Sequence, residues 1–296
     1  MRMRRNIQAG LISILASLSS CSKPEPTEAE KYFTYFPVAL KGAHEIQKYG
    51  VDGAKHCLVH IRQTHLTEPK FSLVESKNKS QAQEADILSR IESSEDQEEK
   101  IILGQDLLEL RRLNEETRKI AYGTFISQLG YVAEVQRDIL HMLGDLDREY
   151  FLGAVRDEGI DKTLSKVECK SVLRNGFKIF IDKGYITQED ALDPNKYFLA
   201  GGAARILGAA GRIEIRPTED RTLNQAAFEA VKSHKLEDDT IFNQRENHVM
   251  RLVSEEPYSV TLFGANHNFR DNVENWNKQN PDNKFSLIVV TPNSLK

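Results

Sequence analysis

Two spacings of apolar residues divide the chain. Residues 55–61 (KHCLVHI), 258–263 (YSVTLF) and 285–290 (FSLIVV) are short, nearly continuous apolar runs, the pattern of strands buried on both faces. Residues 76–144 are rich in Glu, Gln, Lys and Arg, with apolar residues every third or fourth position. Leu103, Leu107, Leu110 and Leu113 make one stripe, and Phe125, Leu129, Val132, Val135, Ile139 and Met142 make another. Such stripes predict two long amphipathic helices facing a core, and Ser94-Glu95-Asp96-Gln97 has the form of a capping box between them.

The remaining segments alternate. Residues 40–49 read as a short helix and 50–53 as a turn, with regularity broken at Glu68-Pro69. A strand is expected over 150–156, ending at Asp157-Glu158-Gly159, and a helix over 163–182. Asp193-Pro194 has the form of a helix start. That helix would carry Gly201, Gly202, Ala203, Ala204 and Gly208 and end on Gly211. A strand over 212–216 and helices over 223–232 and 240–254 follow. The last unit runs strand 258–263, turn Gly264-Ala265-Asn266-His267, helix 271–279, then strand 285–290. Strand, helix, strand implies parallel strands joined by a right-handed crossover. The expected fold class is α/β: a mostly parallel sheet with flanking helices, and a long helical insertion at about 75–145 forming a lid or flank. No fixed-period repeat is present.

Composition narrows the function classes. The 296-residue chain is 40% hydrophobic and 28% charged, too apolar for a disordered chain and too charged for a polytopic membrane protein. Its 40 basic and 44 acidic residues give a net charge of -4, so no global field draws it to nucleic acid. At the N-terminus, Arg2, Arg4 and Arg5 precede an apolar run over 7–18, a secretory signal rather than a membrane span, which needs about 20 apolar residues. Leu18-Ser19-Ser20-Cys21 resembles a bacterial lipobox. That resemblance implies cleavage before Cys21, lipidation of its thiol, and an envelope location at the outer membrane facing the periplasm. The expected organisation is a signal peptide over 1–20, a lipidated Cys and flexible tether over 21–45, and a single α/β domain over 46–296. Cys57 and Cys169 are then left either to pair or to lie buried as thiols.

Two histidines stand in matching places. His65 lies just past the strand over 55–61, and His267 just past the strand over 258–263. Sites in parallel sheets form beyond the carboxyl ends of the strands, so both imidazoles are expected at one edge. There they can bind a divalent metal ion or move protons. Glu158 follows another expected strand and supplies a carboxylate. His60 lies inside a strand, either supporting the site from behind or as a buried, hydrogen-bonded histidine. Arg245, on a helix, offers a planar fork to a carboxylate or phosphate, or forms a surface salt bridge with Glu255 or Glu256.

Phe263-Gly264-Ala265-Asn266-His267 resembles the Gly-x-x-His motif of the superfamily that includes Tiki/TraB proteins, erythromycin esterases and ChaN-like haem-uptake lipoproteins. Glu158 is similar to the acidic position of that family, and Arg245-Glu246-Asn247-His248-Val249-Met250 to its Arg-centred helix with Asn-x-x-Met. The first motif departs from the pattern: Arg62-Gln63-Thr64-His65 has Arg where the family has Gly or Glu. The resemblance implies a site of His65, Glu158, Arg245 and His267; His60, Gly264 and Asn266 are the candidates to bind a cofactor.

Three functions compete. One is a hydrolase acting on a peptide or ester bond of a small-molecule or peptide substrate. It would work either through a metal held by His65, His267 and Glu158, or without metal, through a histidine base oriented by Glu158. Another is a lipoprotein binding haem or another iron complex, with Tyr131 or Tyr122 contributing. The third is an envelope protein whose site has decayed. Nucleophile elbow, HExxH, P-loop and CxxC patterns are absent.

Overall fold

The computed structural model describes residues 25–295 except 67, 151, 194–195 and 233–238. The signal segment, Cys21 and Pro194 lie outside the described residues. Along the chain come helix α1 (Glu28–Tyr35), strands β1 (Ala43–Tyr49) and β2 (His56–Gln63), then helices α2 (Leu73–Ser93) and α3 (Gln97–Tyr150). Strand β3 (Ala154–Asp157) leads into helices α4 (Lys166–Gly176), α5 (Lys178–Asp182) and α6 (Gln188–Leu192). A 3-10 turn at Phe198–Gly201 precedes α7 (Ala203–Ala210) and β4 (Glu214–Arg216). The chain closes with α8 (Arg221–Lys232), α9 (Asp239–Val253), β5 (Tyr258–Gly264), α10 (Phe269–Gln279) and β6 (Phe285–Pro292).

The six strands form one sheet in the order β1-β6-β2-β5-β3-β4. All neighbours are parallel except the edge pair β1–β6, so the α/β class with a mostly parallel sheet holds. Strands β5 and β6 do run in parallel, with β2 between them. Period-two alternation sorts the side chains. Cys57, Val59 and Ile61 of β2 join Val260, Leu262, Ile288 and Val290 on one face, beneath Val135, Ile139, Met142 and Leu146 of α3. Leu58, Phe263, Phe285 and Leu287 join Val249, Met250 and Val253 of α9 and Phe269 and Val273 of α10 on the other. A third cluster, Phe125 and Leu129 with Phe177, Phe180 and Tyr185, packs the middle of α3 against the connection after β3.

Several expectations change. Residues 40–49 are not helical: β1 closes the edge of β6, with Ile46 opposite Val290 and Tyr49 opposite Leu287. Ladder pairing outweighs the weak local preference of that stretch. The folded part begins before residue 46, because Thr27 caps α1 in a capping box and Ala29 is buried. Ser94 does not cap Gln97; its Oγ accepts from Asp96 N and donates to Glu99. Tyr150 ends α3 rather than opening β3. Asp193 closes α6 instead of starting a helix. The helix expected from Asp193-Pro194 to Gly211 is broken at Gly202, whose φ of 109° only glycine adopts readily, while Gly211 caps α7 as expected. Cys57 and Cys169 are buried and free.

Candidate active site

Strands β2, β5 and β3 lie side by side and parallel, so the residues after them share one rim of the sheet. His65 and His267 meet there over the carboxylate of Glu158. His65 Nε2 is 2.7 Å from Glu158 Oε2, and His267 Nε2 is 3.7 Å from Oε1. Gly264 N also donates to Oε2 at 2.7 Å, and Arg245 Nη2 donates to Oε1 at 2.9 Å. A Cβ on Gly264 would sit 3.3 Å from both Glu158 Oε2 and the His267 ring, so a larger residue there would push on the two site side chains. Burial would push the Glu158 carboxyl up, but the bond and charge of His65, with Arg245 and His267 behind, hold it down at about 2. Burial likewise opposes the His65 imidazolium, yet Glu158 outweighs it and raises the ring above its ordinary value.

Each partner is fixed in turn. Arg245 is buried, and its fork is taken by carboxylates within the protein: Nε donates to Glu219 Oε2 at 3.2 Å, and Nη2 to Glu219 Oε1 as well as to Glu158. Two of its nitrogens are thus engaged within the protein, and it is not a surface ion pair with Glu255 or Glu256. Glu256 instead pairs with Arg156 and Arg216. His267 Nδ1 is 2.7 Å from Glu246 Oε1. With its amide oriented to satisfy its neighbours, Asn272 donates to Glu246 Oε2 at 2.6 Å. A carboxylate can only accept, so Nδ1 carries the hydrogen shared with Glu246, and Nε2 is the nitrogen that faces Glu158. Asp157 and the Glu158 carbonyl are bound by Arg205, at 2.8 and 3.2 Å.

His60 stays out of the site. It is buried against Phe269, with Nε2 3.2 Å from the Phe263 carbonyl, and desolvation lowers its pKa to about 4, the behaviour of a neutral core histidine. Asn266 is exposed and, with Gly264, lines an open cavity of about 1000 Å³ beside both histidines. Tyr131 is on that wall and Tyr122 is not.

Sequence reasoning did not single out Glu219, Glu246, Arg205 or Gln63. Glu246 carried a signal, being next to Arg245 on the same helix. Glu219 carried none, since it reaches the site from the loop after β4.

The donor set bears on metal binding. Glu158 Oε2 already accepts from His65 and Gly264, and Oε1 from a guanidinium. Among the described residues no group of three or more His, Cys, Asp or Glu has the arrangement of a metal centre. Metal or haem ligation by His65 Nε2 would replace its hydrogen bond to Glu158 Oε2. No family model, curated protein or solved structure matches the chain with significance.

Proposed function

We propose that the protein is a hydrolase with a metal-free acid–base site for a peptide or ester bond, held at the bacterial cell envelope by a lipid on Cys21. The observation that carries this reading is the convergence of two imidazoles on one buried carboxylate. Support also comes from the resemblance of the Gly264–His267 and Arg245–Met250 motifs to the Tiki, erythromycin-esterase and ChaN superfamily.

In this reading His267 Nε2 takes a proton from water while Glu246 steadies the imidazolium through Nδ1. The water oxygen bonds to the carbonyl carbon. His65, kept protonated by Glu158, donates its proton to the leaving nitrogen or oxygen as that bond breaks. Proton exchange with solvent then restores both rings. Arg245 and Glu219 position Glu158 and touch no reacting atom.

The test is turnover of p-nitrophenyl esters and unstructured peptides by chelator-treated protein. His267→Ala, with unchanged circular dichroism, lowers the rate at least ~10²-fold; an equally active variant contradicts the reading. Activity lost on chelation and restored by a divalent ion would select the metal-assisted form, with His65, His267 and Glu158 as ligands. The rival reading, binding of haem or another iron complex, has the size of the cavity and Tyr131 on its wall in its favour. A Soret shift abolished by His267→Ala would select that instead.

A further inference from the structure

Helices α9 and α10 lie on the same face of the sheet, and a cleft of about 440 Å³ runs between them. Its two sides are rows at helical spacing. Asn243, Asn247 and Arg251 of α9 stand four residues apart, as do Asp271, Asn275 and Gln279 of α10. Both rows start at the catalytic rim, because Asn243 and Asp271 also line the large cavity beside His65 and His267. The cleft therefore continues that cavity, leading away from the histidines along the two helices.

The lining is made of amides with capacity to spare. All six of these side chains are exposed. Among the described residues, Asn243, Asn275 and Gln279 make no side-chain hydrogen bond and Arg251 makes no ion pair. At the floor, buried Asn272 meets the Asn247 amide at 3.1 Å, and Trp276 is fixed by its Nε1, which donates to the Asn283 carbonyl at 2.8 Å. A side-chain amide carries an acceptor and a donor side by side, the complement of the N–H and C=O of a peptide chain. A four-residue step along a helix advances about 6 Å, and an extended chain turns the same edge outward every two residues, about 6.6–6.8 Å. Each row spans about 12 Å, enough for three to four extended residues. Charge gives the chain a direction: Asp271 stands at the rim end, and Arg251 at the far end offers a fork for a carboxylate.

We propose that this cleft docks the C-terminal stretch of an extended peptide, its main chain against the two rows of amides and its terminal carboxylate against Arg251, so that the chain upstream enters the large cavity. Recognition is of the main chain and is indifferent to side-chain sequence. Calling the peptide a substrate rests on the hydrolytic reading; the docking itself needs no turnover.

The probe is N-acetyl-tetra-alanine with a free carboxyl, titrated into the full chain while the side-chain NH₂ signals of Asn243, Asn275 and Gln279 are followed by NMR. Those signals are expected to shift together, and the C-terminally amidated probe to bind about tenfold more weakly, one lost charged hydrogen bond. Asn275→Ala with Gln279→Ala, at exposed helix positions that alanine suits, weakens the free-carboxyl probe about tenfold. Arg251→Gln removes the preference for the free carboxyl. Unmoved amide signals, equal affinity in the double variant, or a preference that survives Arg251→Gln overturns the assignment. So does chitotetraose moving the same signals where the peptide does not, which would give the cleft to a glycan. Peptide turnover without these shifts sinks the docking alone, and docking without turnover sinks the hydrolytic reading alone.

Discussion

A carboxylate enclosed at a sheet rim takes up a proton unless its charge is met, and Glu158 is met on both oxygens. The cost of burial is offset by contacts that vanish on unfolding, so the pair ties stability to pH. Glu158 has a depressed pKa, so its contribution is complete above the ordinary 4.5 and is lost as pH falls toward about 2. His65 has a raised pKa, so its contribution is complete below the ordinary 6.5 and is lost as pH rises through the raised value. Stability from this pair is therefore greatest between pH 4.5 and 6.5. Urea midpoints measured from pH 5 to 9 are expected to fall less above pH 6.5 in His65→Ala than in the wild type; parallel profiles would contradict the pairing. At this scale His65, Glu158 and His267 were legible because each directly follows a strand. Glu246 and Glu219 were not, because a glutamate that turns inward on a helix or loop has the same sequence surroundings as a solvated one.

Helix α3 spans 54 residues, about 80 Å at the standard rise, yet only part of it faces the core. Val135, Ile139, Met142, Leu143 and Leu146 are fully buried over the sheet. Leu108, Leu113 and Ile120, further toward its start, are exposed. The 3.6-residue spacing made the helix legible but not which stripe reaches the sheet: Leu103 and Leu107 are buried, while Leu113 of the same stripe is 47% exposed. Ile139→Ala is expected to cost about 2–5 kcal/mol and Leu113→Ala less than ~0.5 kcal/mol, measured by chemical denaturation. Similar costs at the two positions would contradict this division of the helix. The edge strand β1 was missed because its pairing to β6 is a contact between chain ends. Residues 40–49 alternate weakly, since an edge strand buries little of either face.

At the scale of the molecule, sheet order does what no local pattern can: it brings Glu158 to a histidine 93 positions before it and a glycine 106 positions after it. Parallel pairing of β2, β5 and β3 sends all three connecting segments to one rim. The apolar runs of β2, β5 and β6 therefore gave the class of fold, while the four-residue β3 and three-residue β4 were too short to fix the order of strands. The folded part starts by Thr27, close behind Cys21. On the proposed anchoring, Cys21→Ser shifts the protein from the membrane fraction to the soluble fraction, and unchanged fractionation would contradict the lipid. The convergence of the histidines is tested most directly by NMR titration of the imidazole nitrogens in the wild type and in Glu158→Gln of verified fold. The arrangement predicts that the His65 midpoint, above 6.5 in the wild type, moves to lower pH in the variant, and that the His267 ring signals also change. Identical titrations of both rings in the two proteins would show that Glu158 does not gather them.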